Sequence, residues 1–119
     1  MEHKNEIKLE RQNDIALMHI QGDITAQSEP FINQAYQDLN HQGDVSKILI
    51  QFEPEAYINS GGIAVLIQIL AHTQKNNQKI GITGLSEHFK KIFGMVGITK
   101  FANIYTGLEE AIQGMSASS

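Results

Sequence analysis

A chain of 119 residues, 41% of them apolar and 18% charged, has the composition of one soluble globular domain. Its formal net charge of -4 and the lack of a lysine- or arginine-rich stretch argue against a nucleic-acid partner, and the absence of cysteine excludes disulfides and thiolate chemistry. No apolar segment approaches the roughly 18 residues that cross a bilayer, and the first six residues lack the apolar stretch of a signal peptide. We therefore expect a cytoplasmic protein that does not contact a membrane.

The first half of the chain predicts a β-hairpin and then a helix. Ile7 and Leu9 alternate with polar residues, which is typical of an edge strand. After a turn at Asn13, residues 15–20 are apolar at nearly every position, as in a strand that is buried on both faces. A turn this short requires antiparallel pairing of the two strands. The segment 28–39 then combines a capping serine, an early proline and helically spaced apolar residues, so we expect a helix there.

The second half alternates strands with helices. The apolar run within 45–52 predicts a central strand, and Pro54 makes the residues that follow a loop. The remaining pattern predicts a long helix over 60–73, a strand over 79–85, a short helix over 86–96, a last strand over 101–105 and one or two helical turns over 108–112, with 114–119 as a flexible tail.

These elements place the chain in the α/β class. We expect a single domain that spans 1–119, with its core at about 7–113. The sheet should be mixed and mostly parallel, with an antiparallel N-terminal edge strand, right-handed crossovers and about four helices.

The long helix carries more apolar residues than one contact with a sheet needs. The stripe expected to face the core consists of Ile63, Leu66, Ile67 and Leu70. We interpret Ile69 as buried in addition. For Val65, burial and partial exposure as a contact for a partner both remain open.

The stretch Asn59-Ser60-Gly61-Gly62 joins the central strand to this helix and is the candidate functional site. We expect Ser60 at the first helical position, where a serine side chain can cap an unpaired N–H group. The two glycines leave backbone N–H groups uncovered in the positive field of the helix start, so a phosphate on Ser60 would lie beside donors that favour it. The alternative is a plain cap in a tight turn, and the motif alone leaves both interpretations open.

The sequence argues against catalysis, a cofactor or a metal site. The serine resembles that of a nucleophile elbow, but Ile58 stands where the elbow has glycine. The histidines at positions 3, 19, 41, 72 and 88 fall on separate elements, with no acidic partner that the sequence reveals. Glycine motifs for phosphate or dinucleotide binding and paired metal-ligand spacings are also missing. We therefore expect a protein that is not an enzyme.

The order of the elements and several motifs resemble the STAS domain and, within it, the single-domain anti-sigma factor antagonists. The motifs are Gly22-Asp23-Ile24-Thr25, then Asn59-Ser60-Gly61-Gly62-Ile63 at the start of the long helix, and Ile92-Phe93-Gly94-Met95-Val96-Gly97-Ile98. The resemblance spans roughly Ile7 to Ile112, which is nearly the whole chain.

The resemblance implies a protein that binds other proteins and is itself modified. In that family the first hydroxyl residue after the motif's aspartate accepts a phosphate, and it matches Ser60. An anti-sigma factor with serine kinase activity adds the phosphate, and a metal-dependent serine phosphatase removes it. The unphosphorylated form binds the anti-sigma factor and frees the sigma factor. The resemblance thus implies partner switching in the regulation of transcription, as in stress responses, without direct contact to nucleic acid.

Three positions depart from the family pattern. Asn59 replaces the motif's aspartate, Gly61 replaces its second hydroxyl residue, and Thr25 stands where an acid is common. Fewer carboxylates near Ser60 reduce like-charge repulsion with a phosphate. They also present a kinase with a different surface.

Two hypotheses follow from the sequence. The first is an interaction protein that is regulated by reversible phosphorylation of Ser60. Its partner-binding surface would comprise Asp23, Thr25, Asn59, Ser60, Gly61, Gly62, Ile63 and Val65. The second is a ligand-sensing domain, or a scaffold domain of a multiprotein signalling complex, that does not depend on the Ser60 hydroxyl.

Overall fold

The computed structural model describes residues 5–117 of the chain, with side chains described to residue 116. The strands are β1 (Glu6–Gln12), β2 (Ile15–Gln21), β3 (Lys47–Phe52), β4 (Lys79–Thr83) and β5 (Ala102–Ile104). The helices are α1 (Glu29–His41), α2 (Ser60–Lys75), α3 (Glu87–Met95) and α4 (Leu108–Ala117), with short 3₁₀ turns at Ala26–Ser28 and Ile98–Lys100.

The five strands form one sheet whose spatial order, β1-β2-β3-β4-β5, follows the chain. β1 is antiparallel to β2, and every other neighbouring pair is parallel. The hairpin turns at Asn13, whose positive φ of 58° lies in the left-handed region that asparagine tolerates better than most residues. The predicted α/β class, the antiparallel edge strand and the central position of β3 are confirmed.

The sheet has one thickly covered face and one thinly covered face. Helices α1, α2 and α3 contribute to the main core, in which Met18, Ile50 and Phe93 are fully or almost fully buried. On the opposite face α4 covers a smaller cluster. That cluster consists of Ile15, Leu17, Leu49, Ala111 and Met115. Since both faces of β2 and β3 are covered over this part of the sheet, their apolar side chains need no alternation with polar ones.

The C-terminal helix is longer than the sequence indicates. We expected one or two turns and a flexible tail from residue 114, but α4 continues to Ala117 and buries Met115 against the sheet. The tail prediction is therefore wrong for 114–117, and residues 118 and 119 lie outside the described part of the chain. Met115 Sδ packs against Gly81, which has no side chain to occupy the same space. This contact stabilises the additional turn of α4.

The burial of α2 also differs in part from the expectation. Ile69, Leu66 and Leu70 are buried as predicted, but Ile67 is exposed and Val65 is only 3% exposed. The buried face is thus rotated toward Val65: the core position predicted for Ile67 is wrong, and of the two alternatives left open for Val65 the structure shows burial. No helix within residues 5–117 combines the length and the apolar character that crossing a bilayer demands.

An ion pair ties the first hairpin to the central strand. The Asp14 carboxylate lies 3.0 Å from Lys47 Nζ, and the Lys47 side chain is largely buried. The hydrogen bond from Lys47 holds the pKa of Asp14 below its ordinary value of 3.8. Because the folded pKa is lowered, the pair stabilises the fold above the ordinary value and loses this contribution as the pH falls through the lowered value.

We therefore expect Asp14→Asn to lower the midpoint of thermal unfolding at about pH 7 and to have little effect on it at about pH 2. Thermal unfolding across this range measures the difference. Asp44→Asn is the matched control, since Asp44 is also exposed but has no ion-pair partner among residues 5–116. Equal pH profiles for the two variants would contradict a role for the Asp14–Lys47 pair.

Candidate functional site

Ser60 is the first residue of α2 and lies just beyond the carboxyl end of β3. Asn59, in extended conformation, is the N-cap residue, and its Oδ1 accepts a hydrogen bond from Gly62 N at 2.9 Å. Of the two interpretations that the motif leaves open, the plain cap by the Ser60 side chain is not the one observed, because the adjacent asparagine performs that function. Asparagine and serine are nearly equivalent as caps, so the sequence alone did not distinguish them.

The Ser60 side chain is free as a result. Ser60 is exposed, and its hydroxyl forms no hydrogen bond with any residue of the range 5–116. The backbone N–H groups of Ser60 and Gly61 likewise have no acceptor in this range, as is usual for the first residues of a helix. These two donors and the positive end of the helix dipole lie beside the hydroxyl.

The two glycines bring the start of α2 into contact with the loop that follows β2. A Cβ atom on Gly62 would lie 2.2 Å from the carbonyl oxygen of Ile24, and one on Gly61 would lie 2.9 Å from the Cβ of Ala26. Side chains at either position would push the helix away from this loop. The close approach of Ala26 thus leaves no room for a side chain at Gly61 unless one of the two segments shifts.

A parallel bridge between Ile24 and Ile58 joins the two loops that form the site. Ile24 N donates to the carbonyl oxygen of Tyr57 at 2.9 Å, and Asn59 N donates to the carbonyl oxygen of Ile24 at 3.1 Å. The Asp23 carboxylate accepts a hydrogen bond from Tyr57 N at 3.0 Å. These bonds fix the turn at Asn59 against the loop after β2.

Thr25 has a local structural role at this site. Its Oγ1 accepts a hydrogen bond from Gln27 N at 3.1 Å, while its own N–H donates to Ser28 Oγ at 3.0 Å. The two bonds form a capping box for the 3₁₀ turn that precedes α1. Thr25 is therefore held at a fixed position beside Ala26, which contacts Gly61.

The structure brings the expected site residues to one end of the sheet, but two of them are buried. Gly62 and Val65 face the core, so neither offers a surface to a partner in this fold. Ile63 is half-buried, whereas Asp23 and Ser60 are exposed.

Tyr57 is a further surface residue of the site that the sequence reasoning missed. Its side chain is 59% exposed, and its ring packs edge-on against Phe89 of α3 with the centroids 6.0 Å apart. Tyr57 lies three residues before Ser60, in the loop that bridges to Ile24. The signal in the sequence was a large aromatic residue within an otherwise polar loop.

A shallow cavity of about 380 Å³ lies beside this site, lined by Gly22, Asp23 and residues 53–56. One of the acidic side chains that line it already has a hydrogen-bond partner within the protein, because Glu53 Oε1 accepts a hydrogen bond from Gly22 N at 2.7 Å. Within residues 5–116, His, Asp and Glu side chains form no group of three that would hold a metal ion.

None of the contacts that the described histidines make involves Ser60. His19 hydrogen-bonds Gln51, and its Nε2 lies 3.6 Å from a Glu10 carboxylate oxygen. His72 and His88 contact aromatic rings, and His3 lies outside the described residues. Since none of the described histidines hydrogen-bonds the Ser60 hydroxyl, the pair of groups that activates a serine nucleophile is not formed here.

Comparison with solved structures shows the same fold. An anti-sigma factor antagonist from Mycobacterium paratuberculosis superposes with a TM-score of 0.78 at 15% identity, over 94% of each chain. The anti-sigma factor antagonist SpoIIAA in its unphosphorylated form gives 0.69 at 13% identity, over 96% of this chain and 100% of its own. A variant of RsbS from Moorella thermoacetica gives 0.67 at 12% identity, over 92% of this chain and 94% of its own.

The sequence itself matches the STAS domain over residues 6–111. This range contains all five strands, both loops of the Ser60 site and the first turn of α4. The chain belongs to the STAS domain family.

Proposed function

We propose that the protein is an anti-sigma factor antagonist that switches partners through phosphorylation of Ser60. The observation that carries the proposal is the exposed Ser60 hydroxyl, which forms no hydrogen bond with residues 5–116, at the start of a helix whose cap is supplied by Asn59. In this proposal the unphosphorylated protein binds an anti-sigma factor with serine kinase activity. The phosphorylated protein is released, and a metal-dependent serine phosphatase restores the binding form in the cytoplasm.

The site can accept a phosphate without rearrangement of the fold. A phosphate on Ser60 would add about -1.5 to -2 charges beside the free N–H groups of Ser60 and Gly61. The neighbouring cap is the neutral Asn59, and the nearby Asp23 carboxylate is hydrogen-bonded to Tyr57 N. Local repulsion is therefore small, and the domain keeps its stability in both states.

The same phosphate would oppose a docked partner. The partner surface that we propose consists of Asp23, Thr25, Tyr57, Asn59, Ser60, Gly61 and Ile63. A charge that is buried at an interface without a partner group costs about 2–5 kcal/mol, and each 1.4 kcal/mol changes the affinity about tenfold. A rigid domain can thus switch its partner with little change of shape. In this role the protein is a substrate and a binder rather than a catalyst.

Intact-mass analysis of the protein from its native cells tests the modification. We expect a fraction that is heavier by one phosphate, and we expect Ser60→Ala to abolish it. We further expect Ser60→Glu to weaken binding of the recovered anti-sigma factor by roughly 100-fold while the unfolding midpoint changes little. Isothermal titration with the purified partner measures this affinity.

Ser86→Glu is the matched control for added charge. Ser86 is also an exposed serine at a helix N-terminus, but its hydroxyl is engaged as the cap and accepts a hydrogen bond from Phe89 N at 3.3 Å. We expect this variant to retain partner binding. Persistence of the heavier fraction in Ser60→Ala, or unchanged affinity in Ser60→Glu, would refute the switch. A ligand-sensing role would instead show stabilisation by a small molecule that does not depend on Ser60.

A further inference from the structure

The charges of the chain are divided unevenly along its length. Ten of the 13 acidic residues precede residue 56, whereas the stretch 56–108 contains five lysines and a single acid, Glu87. A chain with a net charge of -4 therefore has one basic segment, which comprises α2, α3 and β5. Such asymmetry indicates a surface that interacts with a charged partner.

Exposed apolar side chains are concentrated in the same segment. Met95 is 84% exposed, Val96 45% and Phe101 48%, and these are three of the five large apolar residues that are exposed within the described chain. All three fall within seven consecutive residues that include Lys100. Single exposed apolar residues are ordinary, but a cluster beside cations is typical of an interaction site.

These residues lie at the end of the sheet opposite to Ser60. Ser60 follows the carboxyl end of β3, whereas Phe101 precedes β5, whose first residue pairs with Ile80 near the start of β4. Helix α2 connects the two ends: it begins at Ser60, and its 16 residues span about 24 Å to Lys75. A cleft of about 250 Å³ at the second end confirms the arrangement, since Gln74 of α2 and Phe101 both line it.

Three lysines of this end are available for a partner. Lys75, Lys91 and Lys100 are exposed and form no ion pair with any residue of the described chain. Lys91 and Met95 are four residues apart on α3 and so lie on one face of the helix. By contrast, Lys90 of the same helix pairs with Glu87 at 3.1 Å.

We propose that this surface is a second docking site, for an acidic protein segment that carries apolar side chains. We call it the basic end and define it by Lys75, Lys91, Met95, Val96, Lys100 and Phe101. The unpaired lysines match the charge of such a segment, and the exposed apolar side chains match its apolar groups.

A protein segment fits the basic end better than a membrane does. Recognition of anionic lipid uses clusters of about 4–8 cationic residues, more than the basic end offers. Helix α3 has only nine residues and directs Phe89 and Phe93 into the core, so it has no apolar face to insert into lipid.

The basic end is independent of the proposed switch. Its distance from Ser60 exceeds the screening length of about 8 Å at physiological ionic strength, so a phosphate on Ser60 has little electrostatic effect there. The protein can therefore hold an acidic partner at one end while it binds or releases another partner at the Ser60 end. Failure of either proposal leaves the other intact.

Selection of peptides from a random displayed library against the purified protein tests the inference. We expect selected peptides to combine Glu or Asp with apolar residues and to bind more weakly as the salt concentration rises. In amide spectra of the labelled protein, they should shift residues 91–101 and leave 57–63 unchanged. The double variant Lys91→Glu with Lys100→Glu should weaken binding of the selected peptides by about tenfold or more. Met95→Ser should also weaken it.

Two controls match these variants. Lys8→Glu with Arg11→Glu makes the same change of net charge on exposed residues of β1, and Ile67→Ser removes an exposed apolar side chain from α2. We expect both controls to bind the selected peptides as the wild type does. Selection of basic or uncharged peptides, or equal loss of binding in the controls, would overturn the proposal. So would binding to phosphatidylserine vesicles together with failure to select acidic peptides.

Discussion

Gly62→Ala is expected to lower the free energy of unfolding by about 3 kcal/mol. The added Cβ would lie 2.2 Å from the carbonyl oxygen and 2.6 Å from the carbonyl carbon of Ile24. Because both atoms belong to backbone that the bridge to Ile58 holds in place, the clash cannot be relieved by rotation of a side chain. Helix α2 must move instead, which weakens the hydrogen bond from Asn59 N to the Ile24 carbonyl.

Chemical denaturation of Gly62→Ala and Gly94→Ala measures this effect against a matched control. Gly94 lies in α3, and a Cβ atom there would meet no atom within 4 Å. Alanine favours the helix over glycine by about 0.8–1 kcal/mol, so Gly94→Ala should stabilise the protein. A loss of stability below about 1 kcal/mol in Gly62→Ala would show that the contact between α2 and the loop after β2 is loose. Such a result would also weaken the case for a preformed Ser60 site.

Gly84→Ala is the second substitution with a large expected effect, also about 3 kcal/mol or more. Gly84 has a φ of 91°, a conformation that L side chains rarely adopt, and its Cβ would lie 2.0 Å from the carbonyl oxygen of Phe52. Phe52 is the last residue of β3, so this contact holds the β4–α3 loop against the strand that leads to the Ser60 site. The substitution combines backbone strain with a backbone clash.

Gly97→Ala separates these two causes. Gly97 has nearly the same φ, 88°, but a Cβ atom there would meet no atom within 4 Å. We expect it to cost only the strain of the left-handed backbone, about 1–2 kcal/mol. Denaturant unfolding of both variants gives the two free energies. Equal losses would show that the approach of Phe52 contributes nothing.

Local patterns were sufficient to predict most of the fold. The alternation in β1, the continuous apolar runs of β2 and β3 and the short turn at Asn13 each depend on neighbours in the sequence. The rotation of α2 could not be predicted in this way, because its apolar arc is wide enough for several orientations. Contacts of Gly61 and Gly62 with the distant loop at Ile24 select the orientation that buries Val65.

The site was predicted in outline rather than in its details. Ser60 was identified because a small polar residue between a strand and a helix is a local signal. The bridge from Ile24 to Ile58 and the packing of Tyr57 on Phe89 join segments that are far apart in the chain. Neither contact has a periodicity or a spacing that a single sequence reveals. The same reason explains the missed length of α4, whose burial of Met115 depends on Gly81.

The strand order of the sheet has a consequence for how the polypeptide acquires its structure. Each strand from β2 to β5 pairs with the strand made immediately before it, so no strand has to insert between two that already pair. Loop closure at each step spans only one crossover, which keeps its entropic cost small. As the chain leaves the ribosome, the sheet can grow in one direction, with each new strand added to an existing edge.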